Sequence, residues 1–390
     1  MNNAKFVLDH QSIKLPDLAF GKEWALLELL TLGLDSSVER ERFANLINSP
    51  DLNWQELLTQ ATRHKITNLL SAAIIANHLS EVVPLNIRQQ LINVRLFNQH
   101  KIQIYRREAA KIVEAFTRKE LKFVGTKGIS VESTLYQGNG SRTMSDIDFM
   151  ILPQEREPAI QALSQLGYQM GTYEQKTNKI RPHSREMMIK YKLNPDHLPS
   201  HVLLTNDVVT PFVEVDIANS LTWTSCPWQI PVEIALENIL VQSIPEIKNI
   251  KLPVFSAQFQ FIFTILHLFK EAWIEMTLEM DGKDVNLSKF SDVIRLWRSH
   301  HHELDVREFV GILEEFSLTQ PVLWVLEHLD RTFNLDIVKS LGLQNQVTES
   351  WLHSASDSRQ WQGTMRNRLY SLNRDRLFIK SARCERDLSS

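Results

Sequence analysis

The first 118 residues have the apolar pattern of packed helices. Ser36 and Glu39 have the spacing of a capping box, and Asn53 is a typical residue at the start of a helix. A long amphipathic helix is predicted after Pro84. Upstream of these signals, the helical period is carried by Trp24, Leu27, Leu30 and Leu34. We expect this part to be all helical and to carry no cluster of chemically active side chains.

The pattern changes to alternating strands and helices at Leu121. LKFV predicts a strand, GTKG a loop and ISVESTLY a helix. After a polar turn, DIDFMIL has the signature of a strand, and the helix that follows it ends at Gly167. Further strands are predicted for YQMGTYEQ, HVLLT and FVEVDI, with a polar basic loop from Lys176 to His201 after the first of them. This order predicts a small mixed sheet covered by helices.

From Pro227 onward the pattern is helical again. Helices are predicted over Phe259–Leu278 and Phe290–Trp297, and a basic helix in the tail. The sequence therefore predicts an α+β fold, in which a small mixed β-sheet core is flanked by N- and C-terminal helical domains. The expected boundaries are 1–118 for the first helical domain, 119–226 for the core and 227–390 for the second helical domain.

Composition narrows the class of protein. Hydrophobic residues make up 43% and charged residues 23% of the 390-residue chain, which is typical of globular domains. The formal net charge of −3 gives no global attraction to nucleic acid or to anionic membranes. Cys226 and Cys384 have no CxxC partner, which fits a reducing compartment. We recognise neither a signal peptide nor a membrane-spanning apolar run, and expect a cytoplasmic protein.

The sharpest chemical feature is the pair Asp146 and Asp148. On a strand, two residues at this spacing point to the same face, so their carboxylates would lie side by side. Carboxylates held this close repel each other unless a cation lies between them, and magnesium prefers oxygen ligands. The plainer interpretation is a solvated strand end, or carboxylates paired with arginines. For an isolated DxD motif, that plainer interpretation is the commoner one.

A candidate phosphate-binding turn, GTKG at Gly125 to Gly128, precedes the aspartate pair. Glycines at such a turn let backbone N–H groups approach phosphates, and the N-terminus of the following helix favours negative charge. Lys127 could add a positive charge and Ser130 a hydroxyl group. The GxxxxGK[ST] spacing of a P-loop is missing, and an ordinary turn between a strand and a helix explains the pattern equally well.

A third acidic position lies on the predicted strand FVEVDI. Glu214 and Asp216 alternate with apolar residues and share one face of that strand. If it lies beside the strand of Asp146 and Asp148, three carboxylates meet, as in two-metal phosphoryl and nucleotidyl transfer. We prefer Asp216 as the third metal ligand, because its shorter side chain loses less rotamer freedom when fixed. Glu214 stays the alternative, and an exposed strand face is the interpretation without a metal.

The order of these motifs resembles a known family. KG, then YxxGxxSRxxSDIDFMI, then a helix ending in LGY, is similar to the polymerase-β-type nucleotidyltransferase superfamily. Within it, the chain resembles the bacterial uncharacterised nucleotidyltransferase group, often found in gene clusters for peptides and natural products. The helical stretch from Trp54 to Leu70 and the surroundings of His267 and Asp292 also resemble that group. The matching motif residues are Thr126-Lys127-Gly128, Arg142, Asp146-Ile147-Asp148 and Val215-Asp216-Ile217.

Two positions depart from the family pattern. The Gly-Ser motif of the superfamily is here Gly128-Ile129-Ser130, so the serine is displaced by one residue. The group commonly has a histidine two places after the third carboxylate, where this chain has Ala218.

The resemblance implies transfer of a nucleoside monophosphate from an NTP, expected to be ATP, to an acceptor hydroxyl, phosphate or carboxylate, with release of pyrophosphate. Two magnesium ions would be held by Asp146, Asp148 and Asp216. The acceptor would be a small metabolite, a modified peptide or a protein, with nucleic acid less favoured and no role for a membrane. Nucleotide binding is expected from Lys127, Gly128, Ser130 and Arg142.

Two alternatives remain open at this point. One is a toxin-like transferase that acts on tRNA or protein, and the other is a non-catalytic nucleotide-binding module whose carboxylates form structural pairs. His183 and His201 flank the basic loop and could meet a second substrate, although solvated loop residues are commoner. The basic tail from Arg366 to Asp387 could dock a nucleic acid or an acidic peptide, but an ordinary charged helix is the more frequent case.

Overall fold

The structure, a computed structural model, describes residues 18–193, 195–274, 284–356, 360–370 and 378–379. These residues form two compact units. The central unit is Lys65–Phe263, and the other contains the described residues up to His64 and from Thr264 onward. The units follow different boundaries from the segments 1–118, 119–226 and 227–390, which stay a prediction about domains.

The chain begins with helices whose starts are marked in the sequence. Ser36 and Glu39 form the expected capping box, and the side chain of Asn53 accepts a hydrogen bond from the backbone N–H of Glu56. The first helix is buried on nearly all sides, since nine of its 11 residues are buried. These helices are α1 (Lys22–Leu32), α2 (Ser37–Ile47) and α3 (Trp54–Arg63).

The central unit opens with two helices, of which the second has 34 residues and follows Pro84 as expected. Sheet strands and short helices come after it. In chain order the elements are α4 (Thr67–Ala76), α5 (Leu85–Arg118), β1 (Phe123–Thr126), α6 (Lys127–Leu135), β2 (Ile147–Ile151), α7 (Arg156–Gln165), β3 (Gln169–Met170), β4 (Thr172–Glu174), β5 (Lys179–Arg181), α8 (Arg185–Leu193), β6 (His201–Leu204), β7 (Phe212–Ala218), α9 (Val232–Ala235), β8 (Ile239–Ser243) and β9 (Lys251–Phe255).

A five-stranded mixed sheet forms the middle of this unit, in the order β1-β2-β7-β6-β3. Strands β2 and β7 are parallel neighbours, and the other pairs in the sheet are antiparallel. All residues of β2 are buried, because a central strand is covered on both faces. In β7, buried and partly exposed residues alternate, so one of its faces points to the core and the other outward.

Helices α5 and α7 pack on the core face of this sheet. Phe116 of α5 makes edge contacts with Phe123 and Phe149, whose ring centroids lie 5.2 and 5.7 Å away. The same apolar cluster includes Val215 and Ile217 of β7. The apolar side chains of β7 are thereby fixed inward, which turns its acidic residues to the opposite face.

Three expectations from the sequence are wrong in detail. GTKG is not a loop, because β1 ends at Thr126 and α6 begins at Lys127 without an intervening residue. The basic stretch after Lys176 contains β5 and α8, and no residue of that helix is buried. The segment after Pro227 is not helical throughout, because β8 and β9 form an antiparallel hairpin there. Both of those strands are rich in apolar residues, so their pattern resembles that of a buried helix.

Helix α10 begins in the central unit and ends in the other unit, to which the remaining helices belong. The helix predicted from Phe259 ends at Trp273, and Leu278 lies outside the described residues. Most of the basic tail from Arg366 to Asp387, with Cys384, also lies outside them. These elements are α10 (Ala257–Trp273), α11 (Leu287–His300), α12 (Val306–Glu315), α13 (Thr319–Phe333), α14 (Ile337–Ser340), α15 (Glu349–Leu352), β10 (Gln360–Trp361), α16 (Met365–Tyr370) and β11 (Phe378–Ile379). Within the described part of the chain, no helix is long and apolar enough to cross a membrane.

Candidate functional site

Two carboxylates face each other across the parallel strands β2 and β7. Asp148 is directly opposite Asp216 in the register of these strands, with Ile147 opposite Val215 before them. Asp148 is only 3% exposed, whereas 29% of the Asp216 side chain is exposed. The strand that we expected to bring a third acidic residue to the site is therefore the immediate neighbour of β2, which carries Asp148. Asp146 was expected on the same strand as Asp148, but it directly precedes β2, which begins at Ile147.

Lys127 brings a positive charge to these carboxylates. Its Nζ donates a hydrogen bond of 2.6 Å to Oδ1 of Asp148 and lies 3.6 Å from Oδ2 of Asp216. Lys127 has a φ angle of 47°, in the left-handed region, at the step from β1 into α6. Burial alone would lower the pKa of this lysine, but the charges of Asp148, Asp216 and Asp146 hold the pKa above its ordinary value. The ammonium group is therefore charged.

Asp148 is the carboxylate of the site whose pKa is raised. Burial raises its pKa from 3.8 to about 7, and the neighbouring carboxylates of Asp146 and Asp216 act in the same direction. The ammonium of Lys127 opposes this shift and lowers the pKa, but does not cancel it. The site thus holds more negative charge than one lysine neutralises, which is the condition under which a further cation is attracted.

A second pair of carboxylates lies beside the first. Continuing the register of β2 and β7 backward from Ile147 sets Asp146 next to Glu214. Both of these carboxylates act on Lys101 of α5, and both raise its pKa, although burial is the larger effect and lowers it. The ammonium of Lys101 also lies 5.0 Å from the centre of the Tyr105 ring. Glu214 is thus associated with Lys101, whereas Asp216 is associated with Lys127 and Asp148.

Helix α5 fixes the turn that leads into Asp146. The amide of Asn98 donates to the carbonyl oxygens of Gly140 and Arg142, at 2.8 and 2.9 Å, and the hydroxyl of Tyr105 donates to the carbonyl of Ser145 at 2.6 Å. These contacts satisfy backbone groups that have no strand partner. Helix α5, in the part of the chain for which we expected no cluster of chemically active side chains, therefore holds the turn before Asp146 by polar contacts.

A buried ion pair also contacts this turn, at Gly138 and Gly140. Arg106 of α5 donates to Glu132 of α6 at 2.6 Å and to the carbonyl of Gly138 at 2.9 Å, and the backbone N–H of Gly140 donates to Glu132. Both side chains of the pair are at most 5% exposed. Each charge is hydrogen-bonded on more than one side, as buried charges require.

Arg142 lies across the first turn of α6. A Cβ atom at Gly128 would be 2.8 Å from Nη1 of Arg142 and 2.9 Å from Cγ of Met144, so only glycine allows these side chains so close to the helix backbone. Lys127, Gly128 and Arg142 are therefore brought together at the start of α6, and their binding of a phosphate stays a prediction.

Ser130 has a different environment from the other predicted nucleotide-binding residues. It is 2% exposed, and its hydroxyl donates to the carbonyl of Lys127 at 2.9 Å. The amide of Gln260 donates to the same hydroxyl at 3.2 Å. These contacts direct Ser130 toward the backbone of Lys127, so its direct binding of a nucleotide stays a prediction.

His197 is a neighbour of Asp216 that the sequence analysis missed. Its Nε2 lies 4.0 Å from Oδ2 of Asp216, and its Nδ1 lies 3.2 Å from Oδ2 of Asp196. His197 also forms an antiparallel bridge with Ala218, the position at which the family commonly has a histidine. The sequence indicated only that His197 lies in the predicted basic loop. It gave no sign that the segment before β6 pairs with the end of β7.

The donor set of the site fits magnesium in its chemistry. Asp146, Asp148 and Asp216 offer carboxylate oxygens, which this ion prefers, and their repulsion raises the pKa of Asp148. With Lys127 Nζ hydrogen-bonded to Asp148, no three His, Cys, Asp or Glu side chains of the described residues are arranged to hold a metal ion. The ammonium occupies the position between the carboxylates of β2 and β7, so a metal ion would have to replace it there.

Comparison with known proteins gives one match. The family model described as "Uncharacterised nucleotidyltransferase" matches residues 50–334. That range contains α5, the whole five-stranded sheet and the carboxylates of β2 and β7. No curated protein and no solved structure matches the chain.

Proposed function

The chain belongs to the uncharacterised nucleotidyltransferase family, and from this premise we propose that it transfers a nucleoside monophosphate from an NTP to an acceptor. The observation that carries the proposal is the pairing of Asp148 with Asp216 on parallel neighbouring strands, with Lys127 Nζ 2.6 and 3.6 Å from them. An acidic pair, of which Asp148 is buried and Asp216 partly exposed, supplies groups for a metal ion, and a charged lysine at a helix start supplies one for a triphosphate.

The cations at the start of α6 are suited to bind the triphosphate. Lys127 is charged and only partly buried, with 22% of its side chain exposed. The guanidinium of Arg142 lies against the backbone at Gly128, where the N-terminus of a nine-residue helix also favours an anion. We infer that the ammonium of Lys127 moves from Asp148 to a phosphate when the nucleotide binds, because a phosphate offers it more negative charge.

Asp146, Asp148 and Asp216 would then hold magnesium, which when bound lowers the pKa of an attacking oxygen and neutralises charge on the phosphates. Asp148 supplies the buried ligand, and Asp216, on the partly exposed face of β7, lies nearer the acceptor. Glu214 would help to hold Lys101 instead of binding the metal.

The transfer itself is a displacement at the α-phosphorus. A bond forms between the acceptor oxygen and the α-phosphorus, the bond from that phosphorus to the bridging oxygen breaks, and pyrophosphate leaves. The proton of the acceptor passes to the carboxylate of Asp216 or to a water that it orients. We propose ATP as the nucleotide, and a small metabolite, a modified peptide or a protein as the acceptor.

Labelled nucleotides test this function directly. Purified full-length protein is incubated with each of the four NTPs, labelled in the α- or the γ-phosphate, with a low-molecular-mass cell extract as the source of acceptors. We expect the α-label to join an acceptor and the γ-label to appear in pyrophosphate. Both products should disappear with EDTA and in Asp148→Asn.

Asp207→Asn serves as the matched control, because Asp207 pairs with His100 in the turn between β6 and β7 and is not part of the carboxylate site. This variant should keep both products. If the γ-label joins the acceptor, the protein is a phosphotransferase and the proposal fails. If nucleotides bind but no product forms with water, extract or added peptides, the protein is a binding module.

A further inference from the structure

The carboxylate of Asp216 lies between two side chains that can carry positive charge. Lys127 Nζ is 3.6 Å from its Oδ2, and His197 Nε2 is 4.0 Å from the same oxygen. The two neighbours are not equivalent, since Lys127 has its shorter contact with Asp148, at 2.6 Å. If Lys127 leaves for a phosphate, the imidazole of His197 still lies beside Asp216.

The imidazole of His197 is itself held in place. Its Nδ1 lies 3.2 Å from Oδ2 of Asp196, and the other oxygen of Asp196 accepts a hydrogen bond of 2.9 Å from the hydroxyl of Thr224. A carboxylate on one ring nitrogen fixes the orientation of the ring, so that the second nitrogen points in a set direction. Here that second nitrogen faces Asp216.

Backbone contacts attach the same segment to the end of β7. The N–H of Leu198 donates to the carbonyl of Ile217 at 2.8 Å, and the N–H of Asn219 donates to the carbonyl of Asp196 at 2.9 Å. These bonds lie on either side of the bridge between His197 and Ala218. His197 is therefore placed by strand-like pairing as well as by its side-chain contacts, and 27% of its side chain is exposed.

We propose that His197, oriented by Asp196, positions the carboxylate of Asp216 for the transfer reaction once Lys127 has turned to the nucleotide. This inference rests on the proposed function and assigns to the chain a positioning residue outside the motifs of the family. His197 acts through Asp216, so it should affect the rate of transfer and leave the binding of the triphosphate by Lys127 and Arg142 largely unchanged.

The contact can be tested without turnover. Full-length protein with 15N-labelled histidine is examined by long-range 1H–15N NMR, and the ring signals of His197 are identified by their loss in His197→Gln. Asp216→Asn should move these signals, and so should Asp196→Asn. The pair His100 and Asp207, 2.7 Å apart, is the matched control, because Asp207→Asn should move only the signals of His100. Unmoved His197 signals in Asp216→Asn overturn the proposal.

Kinetics then test the positioning role, with pyrophosphate release from ATP measured with water as the acceptor. His197→Ala should lower kcat by roughly 10–100-fold, as loss of an outer contact to a functional ligand does. The KM for ATP should change less than about threefold, because triphosphate binding is untouched. His197→Gln should recover part of kcat, since its amide can donate to Asp216, and His100→Gln should behave like the wild type.

The outcomes separate this inference from the proposed function. A normal kcat in His197→Ala, or a loss that His197→Gln does not relieve at all, overturns the positioning role. A wild-type protein that forms no nucleotidyl product, while the His197 signals still respond to Asp216→Asn, supports the pairing and overturns the transferase assignment. Equal thermal unfolding of the variants and the wild type excludes a general loss of folding.

Discussion

Replacing Asp148 by asparagine should change how the stability of the metal-free protein depends on pH. Asp148 is 3% exposed, and burial together with Asp146 and Asp216 raises its pKa from 3.8 to about 7. The folded state therefore binds the proton more tightly than the unfolded state does. The resulting stabilisation is present below pH 3.8 and is lost as the pH rises through 7.

The size of the effect follows from these two pKa values. Between pH 5 and pH 8, a single carboxyl with pKa values of 7 and 3.8 in the folded and unfolded states loses stabilisation on the order of 2–3 kcal/mol. The asparagine variant has no such proton and should lack this part of the slope. It should also lose nucleotidyl transfer, because the buried carboxylate is absent.

The assay is urea unfolding in EDTA at pH 5 and pH 8. The difference between the two free energies of unfolding should be smaller in Asp148→Asn than in the wild type, by roughly 2–3 kcal/mol. Asp330 is the matched control, because burial raises its pKa to about 7 as well, and it lies in the other unit. Asp330→Asn should lose the same slope but keep its activity. An unchanged slope in Asp148→Asn would refute the electrostatic description of the site.

Three further changes have defined outcomes. Asp216→Ala should reduce the initial rate of pyrophosphate release by several orders of magnitude, and Glu214→Ala should reduce it much less. The reason is that Asp216 is opposite Asp148, whereas Glu214 acts on Lys101. If Glu214→Ala has the larger effect, the third ligand is misassigned. Glu132→Ala should cost about 3–5 kcal/mol in urea unfolding, since it removes the buried partner of the Arg106 guanidinium and leaves the exposed carboxylate of Glu246, 3.6 Å away. Gly140→Ala should lower stability by at least about 1 kcal/mol, because its φ is +77° and its Cβ would lie 2.4 Å from a neighbouring side chain; a neutral result would contradict that strain.

Local patterns were sufficient to predict the strands that carry the carboxylates. In β7, the alternation of Val213, Val215 and Ile217 with polar residues fixes which face is buried. Glu214 and Asp216 then must face outward. The same rule was applied to Asp146 and Asp148, but only Asp148 lies within β2. The helix starts at Ser36 and Asn53 were predictable for a similar reason, since a cap uses residues only three positions apart.

Contacts between distant segments could not be predicted in this way. The parallel pairing of β2 and β7 joins residues separated by 68 positions, as Asp148 and Asp216 show. His197 was missed because the pairing slips, with the five residues from His197 to His201 facing the four from Val215 to Ala218. Such a slip is set by the tertiary structure and leaves no periodic signal in the chain.

The polar face of α5 was missed for a different reason. Asn98, Tyr105 and Arg106 recur at helical spacing, but each type is common on solvated helix surfaces. Their role depends on a turn that lies much further along the chain. Arg106 and its partner Gly138 are 32 residues apart, and Tyr105 and its partner Ser145 are 40 residues apart. Composition and periodicity alone therefore predicted an ordinary amphipathic helix with no contact to the site.

The contacts of α5 have a consequence for how the sequence can change by insertion and deletion. Asn98 and Arg106 are about 12 Å apart along the helix axis and hold the same turn from both ends. One residue inserted between them would rotate everything beyond it by about 100° and remove Tyr105 and Arg106 from the turn together. The exposed turn around Val208, between β6 and β7, contacts α5 through Asp207 and His100, but a residue inserted in that turn would not rotate any part of the helix. Length variation should therefore accumulate in surface turns, whereas the middle of α5 keeps its residue count even where its side chains are exchanged.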